Sequence, residues 1–189
     1  NKMNLAYALG KVNEDIENAR LNIAKLINAK KEEIIFTSGA TESNNLAIKS
    51  IAKNYFQGDF QIITCQTEHK CVLESCYEIE KENVKSTYLS VSEDGLINLE
   101  ELENLLKKKQ SLVSIMSANN EIGVLQPIKE IGNLCKKYNS IFHSDVAQSI
   151  GTQKIDIQDL NIDALSLSAH KIYGPKGVGA LFISNKIKN

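Results

Sequence analysis

Apolar residues recur at steps of three and four near the start of the chain, at Leu5, Leu9, Val12, Ile16, Ala19, Ile23 and Leu26. That period predicts an amphipathic helix over residues 4–29. Beyond it the period changes. Short apolar, β-branched runs at 33–38 (EIIFTS), 60–65 (FQIITC), 84–91 (VKSTYLSV), 111–118 (SLVSIMSA), 140–145 (SIFHSD), 164–169 (ALSLSA) and 177–184 (GVGALFIS) predict seven strands. Helical patterns lie between most of them. One opens at Thr41 with cap-forming residues and carries Leu46, Ala47, Ile48, Ile51 and Ala52 on one face; others cover 71–81 and about 98–108. A further helix starts at Pro127, a residue suited to the first helical position, and runs to about Tyr138.

Strands alternating with helices imply crossover connections and a mostly parallel sheet covered on both faces, an α/β fold. Ligands of such sheets collect at the carboxyl ends of the strands. Those ends here read TSGATESNN, CQTEHK, SANNEIG, HSDVAQS and LSAHK, each small, polar or chemically capable. A chain of 189 residues with 42% hydrophobic and 24% charged residues has the makings of one domain with a real core. Its net charge of −1 argues against a nucleic-acid or anionic-membrane partner, and no apolar run is long enough to cross a bilayer. The acidic, amphipathic N-terminal stretch lacks the apolar centre of a signal peptide. Cys65, Cys71, Cys76 and Cys135 match no common zinc spacing and are expected to be reduced, in a cytosol-like compartment.

The strand ends carry alternatives that local sequence leaves open. Ser38-Gly39-Ala40-Thr41 leads from a strand into a helix, so its free N–H groups suit either an ordinary helix cap or a phosphate. His69 serves as a cap, or stacks on an aromatic ligand and passes a proton. Asn119-Asn120 makes a turn or binds a ligand oxygen. Asp145, ending a buried strand, needs a cationic partner: a lysine, or a protonated pyridine nitrogen. Gln148 follows three residues later, and His143 shares the strand face of Asp145. Ser168 and His170 can donate to a phosphate, while Lys171 pairs with a carboxylate or, if desolvated, forms a Schiff base. Taken jointly, phosphate donors, a stacking ring, an oxygen ligand, an acid for a ring nitrogen and a lysine are what pyridoxal phosphate (PLP) asks of a protein.

The stretches IIFTSGATESNNLAI, TEHKCVLE, VSIMSANNEIGVLQPI, FHSDVAQSIG and SAHKIYGPKGVGALFI, in this order, closely resemble the PLP-dependent cysteine desulfurases of the class V aminotransferase family, nearest to the iron–sulfur cluster assembly branch. The resemblance implies a type I PLP-transferase large domain with a mostly parallel seven-stranded sheet, a homodimer, and L-cysteine as substrate. Sulfur would pass as a persulfide to an iron–sulfur scaffold or another acceptor protein, or toward tRNA thiolation. It further implies a bacterial cytosol or an organelle matrix as location. By the same resemblance Lys171 holds the cofactor covalently and shuttles protons, Asp145 faces the ring nitrogen and His69 stacks on the ring. Asn120 and Gln148 would contact the region of the ring hydroxyl, and Ala40, Thr41, Ser168 and His170 the phosphate. Ala169 stands where the family usually has glycine.

The resemblance also implies that residues 1–189 are the cofactor-binding large domain, without the family's N-terminal segment and small C-terminal domain. In the family that small domain brings the nucleophilic cysteine and the substrate-gripping arginine. Arg20, the one arginine of the chain, matches no such position, and the four cysteines read as packing residues, so the chain alone is expected to bind PLP without completing turnover. Two rivals remain on the sequence: another class V enzyme, such as a selenocysteine lyase or an aminotransferase, and a non-catalytic scaffold that keeps the fold.

Overall fold

The predicted strands all pair into one seven-stranded sheet, in the order β1-β7-β6-β5-β4-β2-β3. The computed structural model describes residues 2–56 and 58–187, with side chains described from residue 10 onward. In chain order the elements are α1 (Lys2–Leu26), β1 (Ile34–Thr37), α2 (Ala40–Asn54), β2 (Gln61–Cys65), α3 (Lys70–Glu80), β3 (Lys85–Leu89), α4 (Leu99–Leu106), β4 (Ser111–Ser114), α5 (Ile128–Lys137), β5 (Ile141–Asp145), β6 (Ala164–Ser168) and β7 (Gly179–Ile183). Strands β2 to β6 pair parallel to one another; β7 runs antiparallel between β6 and β1. Hence β1 points the same way as the parallel strands, and the carboxyl ends of β1, β2, β4, β5 and β6 meet at one edge, where β7 begins.

Alternation along each strand divides the core in two. Ile62, Leu112, Ile141 and Leu181 pack under α2 and α3 with Ile48, Val72 and Ile79. Ile63, Val113, Phe142, Leu165 and Phe182 face the other way, against Ala24, Leu102 and Ile131 of α1, α4 and α5. Phe142 and Phe182 are fully buried, and burying one such ring contributes about 1.5–3 kcal/mol. Three helices end with an asparagine in the left-handed region just beyond them: Asn28, Asn83 and Asn139 have φ of 58°, 65° and 50°. Asparagine tolerates that conformation because its side chain bonds locally.

Two expectations change. The helix predicted from residue 4 to 29 ends at Leu26, and its buried face is Ile23 and Ala24, continued by Ile27 just past the helix. Val12, Ile16 and Leu26 stay 53%, 42% and 53% exposed, because nothing among the described residues packs over them. The side chains of Leu5 and Leu9 lie outside the described residues. The strand predicted over 111–118 leaves the ladder at Ser114, although the Ile115 and Ser117 N–H groups still donate to the His143 and Asp145 carbonyls at 3.2 and 3.0 Å. That extension delivers the Asn119-Asn120 turn to the same edge as Asp145.

Candidate active site

At the carboxyl edge lies a cavity of about 400 Å³, and all nine residues to which the resemblance gives a role at the cofactor line it. Its first wall is the turn from β1 into α2. The helix starts at Ala40, not Thr41, with Gly39 as N-cap, and no side chain caps it. Glycine has no side chain to offer, so the first-turn N–H groups at Ala40 and Thr41 are left for whatever occupies the cavity. Glu42 turns back instead and accepts from the Ser38 N–H and hydroxyl, both at 2.6 Å, which holds its carboxyl below the usual range.

Asp145 ends β5 on the floor. Its Oδ1 accepts from the Ala147 N–H at 2.9 Å and its Oδ2 from the Asn44 amide at 2.6 Å. No lysine ion pair reaches it among the described residues, which removes that alternative. Burial pushes its carboxyl up, while the Ala147 and Asn44 donors and the nearby His69 pull it back. His69 combines both readings offered by the sequence. Its Nδ1 accepts from the Cys71 N–H at 3.2 Å, capping α3, while the residue lines the cavity. With Nδ1 as acceptor, the neutral ring carries its proton on Nε2. Asn119 and Asn120 likewise divide the roles. Asn119 Oδ1 accepts from the Glu121 and Ile122 N–H groups and makes the turn; Asn120 lines the cavity beside Gln148.

On the opposite side, β6 ends in a short turn of 3-10 helix, Ala169–Lys171, and Ser168 Oγ lies 2.8 Å from His170 Nδ1. Lys171 lines the cavity at its rim, where the turn places it, and is exposed. His143, whose role the sequence left ambiguous, is structural. It is fully buried between Ser114 and Ser166 at 2.9 and 3.0 Å, tying β4, β5 and β6 together, and burial drives its imidazole down to about 3.

Three functional neighbours escaped the sequence reading. Asn44, inside the helix-opening stretch that begins at Thr41, carries no local signal of a contact with Asp145. Cys71 packs in the core as expected, and its Sγ also lies 3.0 Å from His69 Nδ1 beside the cavity. Burial raises that thiol, as it raises Cys65 and, to about 12, Cys76; Cys135 is raised further by burial. All four cysteines are free and buried. The third is Glu68, whose Oε1 accepts from the Met116 N–H while Oε2 has no partner. Burial, reinforced by Asp145, lifts its carboxyl well above the usual range.

The raised carboxyl of Glu68 has a pH signature. Its folded pKa lies above the unfolded one, so its contribution is whole below the unfolded value and is lost as pH rises toward the folded value. Glu68→Gln, neutral at every pH, is expected to gain stability on the wild type as pH climbs from about 4.5, by up to about 1.4 kcal/mol per pH unit. Denaturant melts across that range check this; parallel curves for the two proteins would mean that Glu68 is ionised.

Among the described residues no group of three or more His, Cys, Asp or Glu side chains is arranged to hold a metal, and no helix is long and apolar enough to cross a membrane. The sheet order, with this cavity at its carboxyl edge, defines a type I fold of the PLP enzymes. The chain belongs to the aminotransferase class-V family, whose profile matches residues 3–189. It is 54% identical over 173 residues to a mitochondrial cysteine desulfurase of Eremothecium gossypii, covering 92% of this chain and 35% of that protein. To the cysteine desulfurase IscS of Rickettsia bellii it is 56% identical over 171 residues, covering 90% and 42%. A solved structure described as SspA in complex with cysteine superposes with a TM-score of 0.88 at 44% identity, covering 93% of this chain and 50% of that one. A NifS-like protein gives the same TM-score at 40% identity, covering 93% and 48%. The chain thus spans well under half the length of the curated relatives it matches.

Proposed function

We propose that this chain is the cofactor-holding part of a PLP-dependent cysteine desulfurase, which converts L-cysteine to L-alanine and passes the sulfur on as a persulfide. The observation that carries the reading is the convergence of Lys171, Asp145, His69 and the uncapped start of α2 on one cavity. The residues fit the cofactor. A helix N-terminus without a side-chain cap suits a phosphate dianion, helped by the helix dipole, and Ser168 and His170 add donors. At the floor, a buried carboxylate with no lysine or arginine paired to it among the described residues suits a protonated ring nitrogen. Identity above 50% to curated cysteine desulfurases supports the choice of substrate over other class V chemistry.

Bound in this cavity, PLP would supply an electron-accepting ring that makes the substrate's Cα–H acidic. Lys171 Nζ would anchor the cofactor and then take up and return the Cα proton. Asp145 would keep the ring nitrogen protonated through its carboxylate. His69 would lie against the ring and, with Nδ1 engaged by α3, offer Nε2 for proton exchange. Asn120 and Gln148 would orient the ring oxygen. All four cysteines are buried in the core clusters, Cys71 held at the cavity wall beside His69, so sulfur acceptance is proposed for a thiol outside residues 1–189. The partners proposed are a second copy of the protein and an iron–sulfur scaffold or other sulfur acceptor, in a bacterial cytosol or organelle matrix, in keeping with relatives named as bacterial and mitochondrial.

The test is to supply the whole polypeptide with PLP, L-cysteine and a reductant and to measure alanine and sulfide. Equimolar release of both is expected. A protein that binds PLP yet transaminates cysteine, or that accepts only selenocysteine, would move it to another class V activity.

A further inference from the structure

Asn44 is fully buried in the first turn of α2, and its side chain is placed unusually. Nδ2 donates to Asp145 Oδ2 at 2.6 Å and to Cys71 Sγ at 3.2 Å, so both amide protons have acceptors. Oδ1, equally buried, has no partner. A buried polar atom without a partner carries a desolvation cost, which selection removes unless the arrangement achieves something else. Turning the amide over would place Oδ1 against the carboxylate and suit only a protonated Asp145. As found, Asp145 receives one donor on each oxygen, from Asn44 and from the Ala147 N–H, and acts purely as an acceptor. The charged and titratable groups around it are His69, which favours its ionised form, and Glu68, which shares the buried region.

We propose that Asn44 is a positioning residue for Asp145: its amide fixes one carboxylate oxygen and favours the ionised form, which in turn holds the ring nitrogen of PLP protonated. The inference rests on the PLP reading above. Asn44 lies one helical turn after Ala40, four residues on, and so on the same face of α2. One turn of helix therefore serves both ends of the cofactor, its open N–H groups at the phosphate and Asn44, through Asp145, at the ring nitrogen. The direction of the hydrogen bond opposes burial, which would otherwise neutralise Asp145 and leave the ring nitrogen without a counter-charge.

The experiment loads the whole polypeptide with PLP labelled with 15N in the ring. It reads the nitrogen chemical shift at neutral pH, with PLP affinity and melting temperature alongside. Asn44→Leu keeps the volume and removes both the donor and the orphaned carbonyl; Asn44→Ser, smaller, serves if the leucine variant does not fold. In either the resonance is expected to move from the protonated toward the unprotonated position, in the direction taken by Asp145→Ala, and the Kd for PLP to rise about tenfold. Asn44→Asp, able to donate when protonated, is expected to recover much of the wild-type shift. A purely structural Asn44 would alter the melting temperature and leave the resonance where it was; a folded variant with the wild-type shift overturns the inference while leaving the PLP site intact. A wild-type protein that takes up no PLP, or takes it up independently of Lys171, would bring down the site reading and this inference with it.

Discussion

Lys171→Ala is expected to abolish covalent attachment of PLP and to lower desulfurase activity by at least about 10²–10⁴-fold, the range for losing a positioned acid–base group. The loss of the anchor adds to this. Borohydride reduction of the loaded wild type is expected to fix PLP onto the peptide that contains Lys171, and the yellow absorbance and the mass adduct vanish together in the variant. A competitor exists: Lys176 lies five residues on and lines the same cavity. Its position argues against it. Lys171 closes the short turn that begins directly at the end of β6, whereas Lys176 sits in the following loop, after Tyr173, which adopts φ of 64° with its side chain turned fully to solvent. Lys176→Ala should therefore keep the adduct. An adduct that persists in Lys171→Ala, or that maps to Lys176, would show the anchor to be misassigned.

The residues that announce themselves in the sequence do so because their surroundings are apolar. Asp145 and Ser168 stand at the ends of strands that are buried along their whole length, so a polar side chain there has to be explained. Lys171 stands out for the same reason, on the step from β6 into a glycine-rich loop. Asn44, Glu68 and Cys71 escaped because their meaning lies in contacts the local pattern cannot express. Asn44 meets a carboxylate 101 residues away, and Glu68 a backbone N–H 48 residues away. Read locally, each is an ordinary polar residue near a helix start. The sheet behaves similarly. Strand existence followed from apolar runs and turn residues, but nothing local says that β7 turns back to run antiparallel between β6 and β1. For α1 the period was legible and the partner was not: among the described side chains the Ile23–Ile27 end meets the core, while Val12 and Ile16 face outward.

That reversed strand brings the second large effect. Gly179 begins β7 in register with Thr37 on one side and Ser168 on the other, so a single row of the sheet joins the end of β1, the start of β7 and the end of β6. A Cβ on Gly179 would lie 2.5 Å from Gly39 Cα, 2.7 Å from the Leu167 carbonyl oxygen and 2.8 Å from Gly39 C. All three are backbone atoms, so no flexible side chain can move aside; either the turn into α2 or the β6 edge must shift. Overpacking of this kind costs about 1–3 kcal/mol or more. Here it also displaces the turn whose N–H groups are assigned to the cofactor phosphate, so Gly179→Ala is expected to lower the melting temperature and weaken PLP binding together. Gly58→Ala separates the two effects. Its φ of 95° strains any side chain, no atom lies within 4 Å of the added Cβ, and it does not line the cavity, so stability should fall with little change in PLP affinity. Calorimetry on the PLP-free proteins and PLP titration of the same preparations provide both readouts. A Gly179→Ala protein that binds PLP like the wild type would mean that neither the start of α2 nor the end of β6 holds the phosphate, because one of the two must move to admit the added methyl.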